Sequence, residues 1–446
     1  MKGLIFTYVL TYGGAVAALV NPFYGLLIYI AFAIIKPPAL WHWSGLTGNY
    51  SRIIAIAMLL GWVLHGMGNW NFGRAKWIIL SLVGFWMWAT LSTFVVAEDK
   101  EQAYRFVENF AKIVLPVLVG LTVVDTIAKL KGLIWVILIS QSFLAFEANV
   151  SLYNGYNRMA LVGMAGLENN TAAISMASAV GIAAFLCMDA EKRWQQVIAG
   201  ICGLLLVHAI LMSESRGGML ALVAVGAVVL FLIPKKPKHY ILFALAVVAG
   251  LQLAGPNVRK RFQTIFVETE DRDSSAEERV RQWRTSLRVT GENPVFGIGP
   301  MNWRAQSARH GGIPGLAVHS TWLEMAAETG IPGVVLFTLP HVLCLFYMWK
   351  NLRQRDTLTD PFSSLVSRIT IASLVGFAVS ATFVTAWAIE IQYYIILIGA
   401  VASTPSLQAQ FRQTHDDSID QDDVPDDEEL RDSFDREDQV VESYQV

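Results

Sequence analysis

Charge is scarce in this chain. Asp, Glu, Lys and Arg make up 16% of its 446 residues, against 54% hydrophobic, a balance that excludes an ordinary soluble globular protein. Cysteine is scarce too: Cys187, Cys202 and Cys344 all lie in apolar runs, with no Cys-x-x-Cys and no even framework, which argues against structural disulfides and zinc sites. No His-Glu-x-x-His pair points to a metal, and no long apolar/polar alternation suggests a membrane barrel. What the sequence does have is a succession of apolar runs of about 17–20 residues, the length that spans roughly 30 Å of hydrocarbon. The expected fold class is therefore an all-α polytopic membrane protein.

The runs fall near 4–20, 22–35, 52–68, 77–97, 107–124, 132–149, 171–189, 195–213, 217–233, 240–255, 331–349, 368–386 and 388–402. About twelve of them are expected to cross a membrane. "VNPFYG" at 20–25 leaves open whether the first region is two short helices or one kinked, partly re-entrant element. The N-terminus starts like a signal peptide but has no convincing small-residue cleavage site, so it reads as a retained segment.

Basic residues at 73–76, Lys129 with Lys131, 191–193, 235–239 and 350–355 fall on alternate connections, which assigns that side to the cytoplasm. Residues 36–51, 98–106, 150–170, 214–217, 256–330 and Glu390 then share the opposite side. The organisation expected is 1–255 as N-terminal membrane helices, 256–330 as a large external loop with short helices, 331–402 as C-terminal membrane helices, and 403–446 as a cytoplasmic tail. Residues 416–446 carry 14 acidic residues against Arg431 and Arg436, so the tail reads as polar and disordered. "RKR" at 259–261 breaks the charge rule, but long loops translocate largely regardless of charge.

Several external residues could carry chemistry. Arg216, in "SESRGG", stands on a tight turn where Ser215 could cap the next helix, leaving free N–H groups and a positive dipole end beside the guanidinium. Gly217 and Gly218 would let a head group approach the backbone. The plainer alternative is an arginine snorkelling to the interface beside Glu214. His319 begins a short helix, "HSTWLEMAAETGIPG", expected to run from Ser320 to a stop at Gly330 and Pro332; it could accept a proton, or simply cap or pack. "SSAEERVRQWRTSLRVT" (274–290) reads as a helix with Arg279, Arg281, Arg284 and Arg288, the last two on one face; Trp283 would face membrane or glycan. These arginines either point at one pyrophosphate or form a solvated face. The Asp-x-Asp of 271–273 is a weak metal signal. Arg158, with Tyr153, Tyr156 and several asparagines, could hold sugars or line the membrane interface.

Taken together, "SESRGG", "ERVRQWRTSLRVTGENPVFGIGPMNW" and "HSTWLEMAAETGIPGVVLF" resemble, in that order, the motifs of the O-antigen ligase and polymerase superfamily. The N-terminal half is similar to its exosortase-associated O-glycosylation ligase branch. The resemblance implies a C-type membrane glycosyltransferase in the bacterial inner membrane, independent of metal or other cofactors, with its site facing the periplasm. The donor would be a glycan on undecaprenyl pyrophosphate, and the acceptor a hydroxyl of lipid A-core, a growing glycan or a protein Ser or Thr. Membrane lipids would surround it, and nucleic acid is not expected as a partner. Carried over by position, Arg216, Arg279 and His319 are the implied catalytic set. Arg158, Tyr153, Trp283, Arg284, Arg288 and Glu324, the glutamate of the third motif, are the expected substrate contacts. A transporter of lipid-linked glycans is the alternative from another class, although no internal repeat supports it.

Overall fold

A computed structural model describes residues 2–46, 48–233, 235–253, 270–353 and 360–422. "RKR" at 259–261, the tail beyond 422 and the side chains of Asp271 and Asp273 lie outside the described residues. The chain is an all-α polytopic membrane protein: among the described residues there is no strand, and nine helices are long and apolar enough to cross a bilayer.

In chain order the longer helices are α1 (Lys2–Val20), α2 (Pro22–Ile35), α3 (Tyr50–Leu64), α4 (Lys76–Val95), α5 (Lys100–Val123), α6 (Ile127–Tyr153), α7 (Asn169–Asp189), α8 (Arg193–Met212), α9 (Arg216–Leu232), α10 (Pro237–Leu253), α11 (Glu270–Glu292), α12 (Thr321–Arg353), α13 (Pro361–Ala381), α14 (Ile391–Ala402) and α15 (Pro405–Asp422). Every apolar run of the sequence is thus a helix. The first region is two helices: Asn21 accepts the Phe23 amide at 3.0 Å and caps α2. α2 folds back on α1 so closely that a methyl on Gly25 would lie 2.6 Å from that of Ala18.

The bundle closes around α7, α13 and α14. α7 packs on α6, α8, α9 and α13, and 83% of its apolar window is buried, against 22% for the peripheral α1. Small residues make such close packing possible where lipid supplies no hydrophobic drive between helices. Gly218 at the start of α9 is one of them, since a Cβ there would lie 2.5 Å from that of Ala173 on α7. Gly218 is therefore a packing residue, a correction to its expected role beside a head group.

The connections gather at two ends. At the tail end Lys131 pairs with Glu191, Arg368 with Asp189 at 2.6 Å, and Gln410 donates to the Asp125 carbonyl at 2.7 Å. At the other, the site end, Lys36 meets Glu390 at 3.7 Å, Arg309 meets Glu98, and Asn302 joins Asp99. The alternation read from loop charges matches this partition of the connections.

Candidate functional site

The turn carrying Arg216 is built from both sides. Ser215 is the N-cap of α9, in extended conformation, and its Oγ accepts the Gly218 amide at 3.0 Å; that hydroxyl in turn donates to Asn170 Oδ1 at 2.6 Å. Asn157 donates to the Met212 carbonyl at 2.9 Å, and Asn169 reaches that of Ser213 at 3.5 Å. Three asparagines of the 150–170 connection therefore hold the turn. The Arg216 side chain is exposed at the first position of α9, where the helix dipole favours an anion.

The segment of His319 is tied to this turn through Val384. The Thr321 amide and hydroxyl both donate to the Val384 carbonyl, at 3.1 and 2.7 Å, and Val384 also borders Gly217, whose added Cβ would lie 3.5 Å from it. One residue thus joins the turn of Arg216 to the helix that follows His319. The imidazole is half-buried, which lowers its pKa; Arg279 lowers it further, as does Arg304, while Glu168 and Glu278 act in the opposite direction. A neutral base is what proton abstraction needs.

α11 presents one face inward. Gln282 donates to the Ile313 and Leu316 carbonyls at 3.3 and 3.0 Å, and Ser286 to that of Leu323 at 2.7 Å. Arg279 lies on this face, half-buried. Trp283 shares it and packs inward beside Phe383, ring centroids 6.0 Å apart, instead of turning to membrane or glycan. Arg284 and Arg288 fall about 140° and 180° around the helix from Arg279 at roughly 100° per residue. Both are exposed, and Arg288 bonds the His310 carbonyl at 3.4 Å. Arg279 therefore lies on the inward face and in electrostatic range of His319, while Arg284 and Arg288 lie on the exposed side.

The remaining expected contacts divide: Arg158 and Tyr153 lie on the 150–170 connection, while Glu324 lies in electrostatic range of Arg304. Arg158 lies 5.3 Å over the Trp43 ring, and Tyr153 is 92% exposed at the end of α6. Glu324 is buried in the first turn of α12, where it accepts the Thr385 hydroxyl; it ties α12 to the 382–390 connection.

Glu328, Arg304 and Glu168 were not expected. Glu328, 1% exposed, accepts the amides of Met301 and Trp303 at 2.8 and 3.0 Å, fixing the turn that ends in Arg304. A second glutamate four residues after Glu324 in an apolar helix was the available signal, because a buried carboxylate must find donors. α12 bends where Gly330 has φ 73°, and a Cβ there would lie 2.2 Å from the Val295 carbonyl oxygen. The helical segment expected to stop at Gly330 bends there and continues to Arg353.

Six non-glycine residues have positive φ among the described residues: Lys36, Met67, Ala165, Glu214, Met301 and His319. All but Met67 lie at the site end, and Glu214, Met301 and His319 flank or are the site groups. Backbone strain of this kind, about 1–3 kcal/mol each, persists where surrounding contacts over-determine it.

Known proteins share parts of this sequence. Residues 201–338 match the family model "O-Antigen ligase", a stretch that contains Arg216, Arg279, Arg304 and His319. An uncharacterized protein of Haemophilus influenzae is 21% identical over 327 residues, covering 63% of this chain and 81% of its own length. The exopolysaccharide production protein ExoQ of Rhizobium meliloti is 25% identical over 190 residues, 40% of this chain and 43% of that protein. Residues 201–338 thus resemble an O-antigen ligase domain, and the similarities together support a membrane enzyme of the O-antigen ligase or polymerase type.

Proposed function

We propose that the protein is an O-antigen ligase, a metal-independent inverting glycosyltransferase of the bacterial inner membrane. It would move a glycan from undecaprenyl pyrophosphate to a hydroxyl of lipid A-core on the periplasmic face. The observation that carries the reading is the half-buried His319, whose following helix is tied through Val384 to the Arg216 turn and which lies in electrostatic range of Arg279. His319 takes the proton from the acceptor hydroxyl as its oxygen attacks the anomeric carbon. The bond from that carbon to the phosphate oxygen breaks, and the negative charge on the departing pyrophosphate meets the guanidinium groups of Arg216 and Arg279. Arginine suits this task because it stays charged and grips phosphate oxygens in pairs. Single displacement inverts the anomeric centre, and no nucleophilic carboxylate is needed.

Purified protein given the lipid-linked donor and candidate acceptors, with mass analysis of the products, tests this directly. A glycosylated lipid A-core is the expected product. A growing glycan or a modified protein Ser or Thr as product would reassign the acceptor, and translocation without bond formation would make the protein a transporter. His319→Ala should lower turnover by about 10²–10⁴-fold, the range of a lost general base, with insertion intact. Near-normal turnover in that variant would remove His319 from the site.

A further inference from the structure

Three of the six arginines whose side chains are described in the external segment are engaged. Arg281 donates to the Gly311 carbonyl at 3.1 Å, Arg288 to that of His310, and Arg309 to Glu98. Arg304 is different. Its backbone is held on several sides: Glu328 receives the Met301 and Trp303 amides, the Trp303 indole donates to the Leu316 carbonyl at 3.0 Å, and Gln306 reaches the Ile298 carbonyl at 3.4 Å. Yet the side chain is exposed, and among the described residues no hydrogen bond or ion pair within 4 Å engages it. Its charge lies in electrostatic range of His319, Glu324 and Glu328 at once. A firmly held backbone carrying an exposed guanidinium in electrostatic range of the proposed base suits an anionic ligand.

We propose that Arg304 is a further phosphate-gripping residue, which takes one phosphate of the donor's pyrophosphate while Arg279 takes the other. The two arginines stand on different elements, α11 and the 303–306 turn, whose Trp283 and Trp303 share one small core with Val318, next to His319, so two adjacent phosphates can each receive a guanidinium. This rests on the donor reading above and adds a selectivity: a lipid pyrophosphate should bind better than a lipid monophosphate.

The purified full chain in detergent, titrated with undecaprenyl pyrophosphate and separately with undecaprenyl phosphate, tests it without any acceptor. Wild type should prefer the pyrophosphate by roughly 10- to 100-fold, the weight of one charged hydrogen-bonding contact. Arg304→Ala should lose most of that preference at an unchanged melting temperature, and Arg304→Lys should recover part of it. If Arg304 serves only as counter-ion to Glu324 and Glu328, Arg304→Ala melts lower and keeps the preference, which overturns the proposal. A wild type that binds neither lipid overturns the donor reading itself. A wild type that binds both equally while transferring glycan overturns only the role of Arg304.

Discussion

Two groups of charges, one at each end of the bundle, are handled differently. At the tail end the buried Arg368 lies 2.6 Å from Asp189, and the nearby cations Lys131 and Lys129 meet Glu191 and Asp125. At the site end Arg279 and Arg304 share one electrostatic neighbourhood with His319, and neither forms an ion pair within 4 Å among the described residues. Backbone strain divides the same way, with five of the six positive-φ non-glycine residues at the site end. Charges paired in direct contact hold helices together; at the site end Arg279 and Arg304 act on His319 through space, with Glu168 and Glu278 acting in the opposite direction.

Substitutions at each end should break this contrast in different observables. The largest effect is expected at the bend of α12. Gly330→Ala forces a Cβ into the Val295 carbonyl at a left-handed position, and should cost more than about 3 kcal/mol of stability through strain and displaced backbone. Thermal unfolding in detergent measures it, and a normal melting temperature would show that the bend adapts freely. Arg368→Ala leaves Asp189 without its guanidinium and should cost about 3–5 kcal/mol by the same measurement, with any loss of turnover following from loss of folded protein.

Arg279→Ala should do the reverse. Stability stays near wild type while transfer falls by roughly 10- to 100-fold, the loss of one charged contact. The pH profile adds a second readout. Partial burial, with Arg279 and Arg304, holds the imidazole of His319 below its ordinary pKa, so the neutral, active form persists below pH of about 6.5. Removing Arg279 lets the pKa rise, and the acidic limb of kcat/KM should move to higher pH. An unmoved limb would mean that the two groups do not interact in the working enzyme. The smallest effect is expected for Arg309→Ala, which removes an exposed pair with Glu98 and should change stability by less than about 1 kcal/mol.

The helices were legible because apolar runs report burial directly, and the Ser215 cap and the Gly330 discontinuity were legible because both are local signals. Helix spacing put Arg284 and Arg288 on one face, but only the packing of Gln282 and Ser286 decides which face of α11 looks inward. The asparagines around the Arg216 turn act across 44 to 55 residues of chain, and Glu328 acts on backbone 25 and 27 residues away. Such contacts leave no periodic trace. Arg304 escaped notice for a related reason: a single arginine in a glycine-rich turn is ordinary until the fold sets it beside His319.

Val384 has a further consequence. It receives Thr321 on one side and borders Gly217 on the other, yet it lies outside the segment 201–338 that matches the family model, as do Asn157, Asn169 and Asn170. The stretch that bears every motif is therefore not a module. Transplanted or expressed alone, it would bring the arginines and the histidine without the residues that set the distance between them.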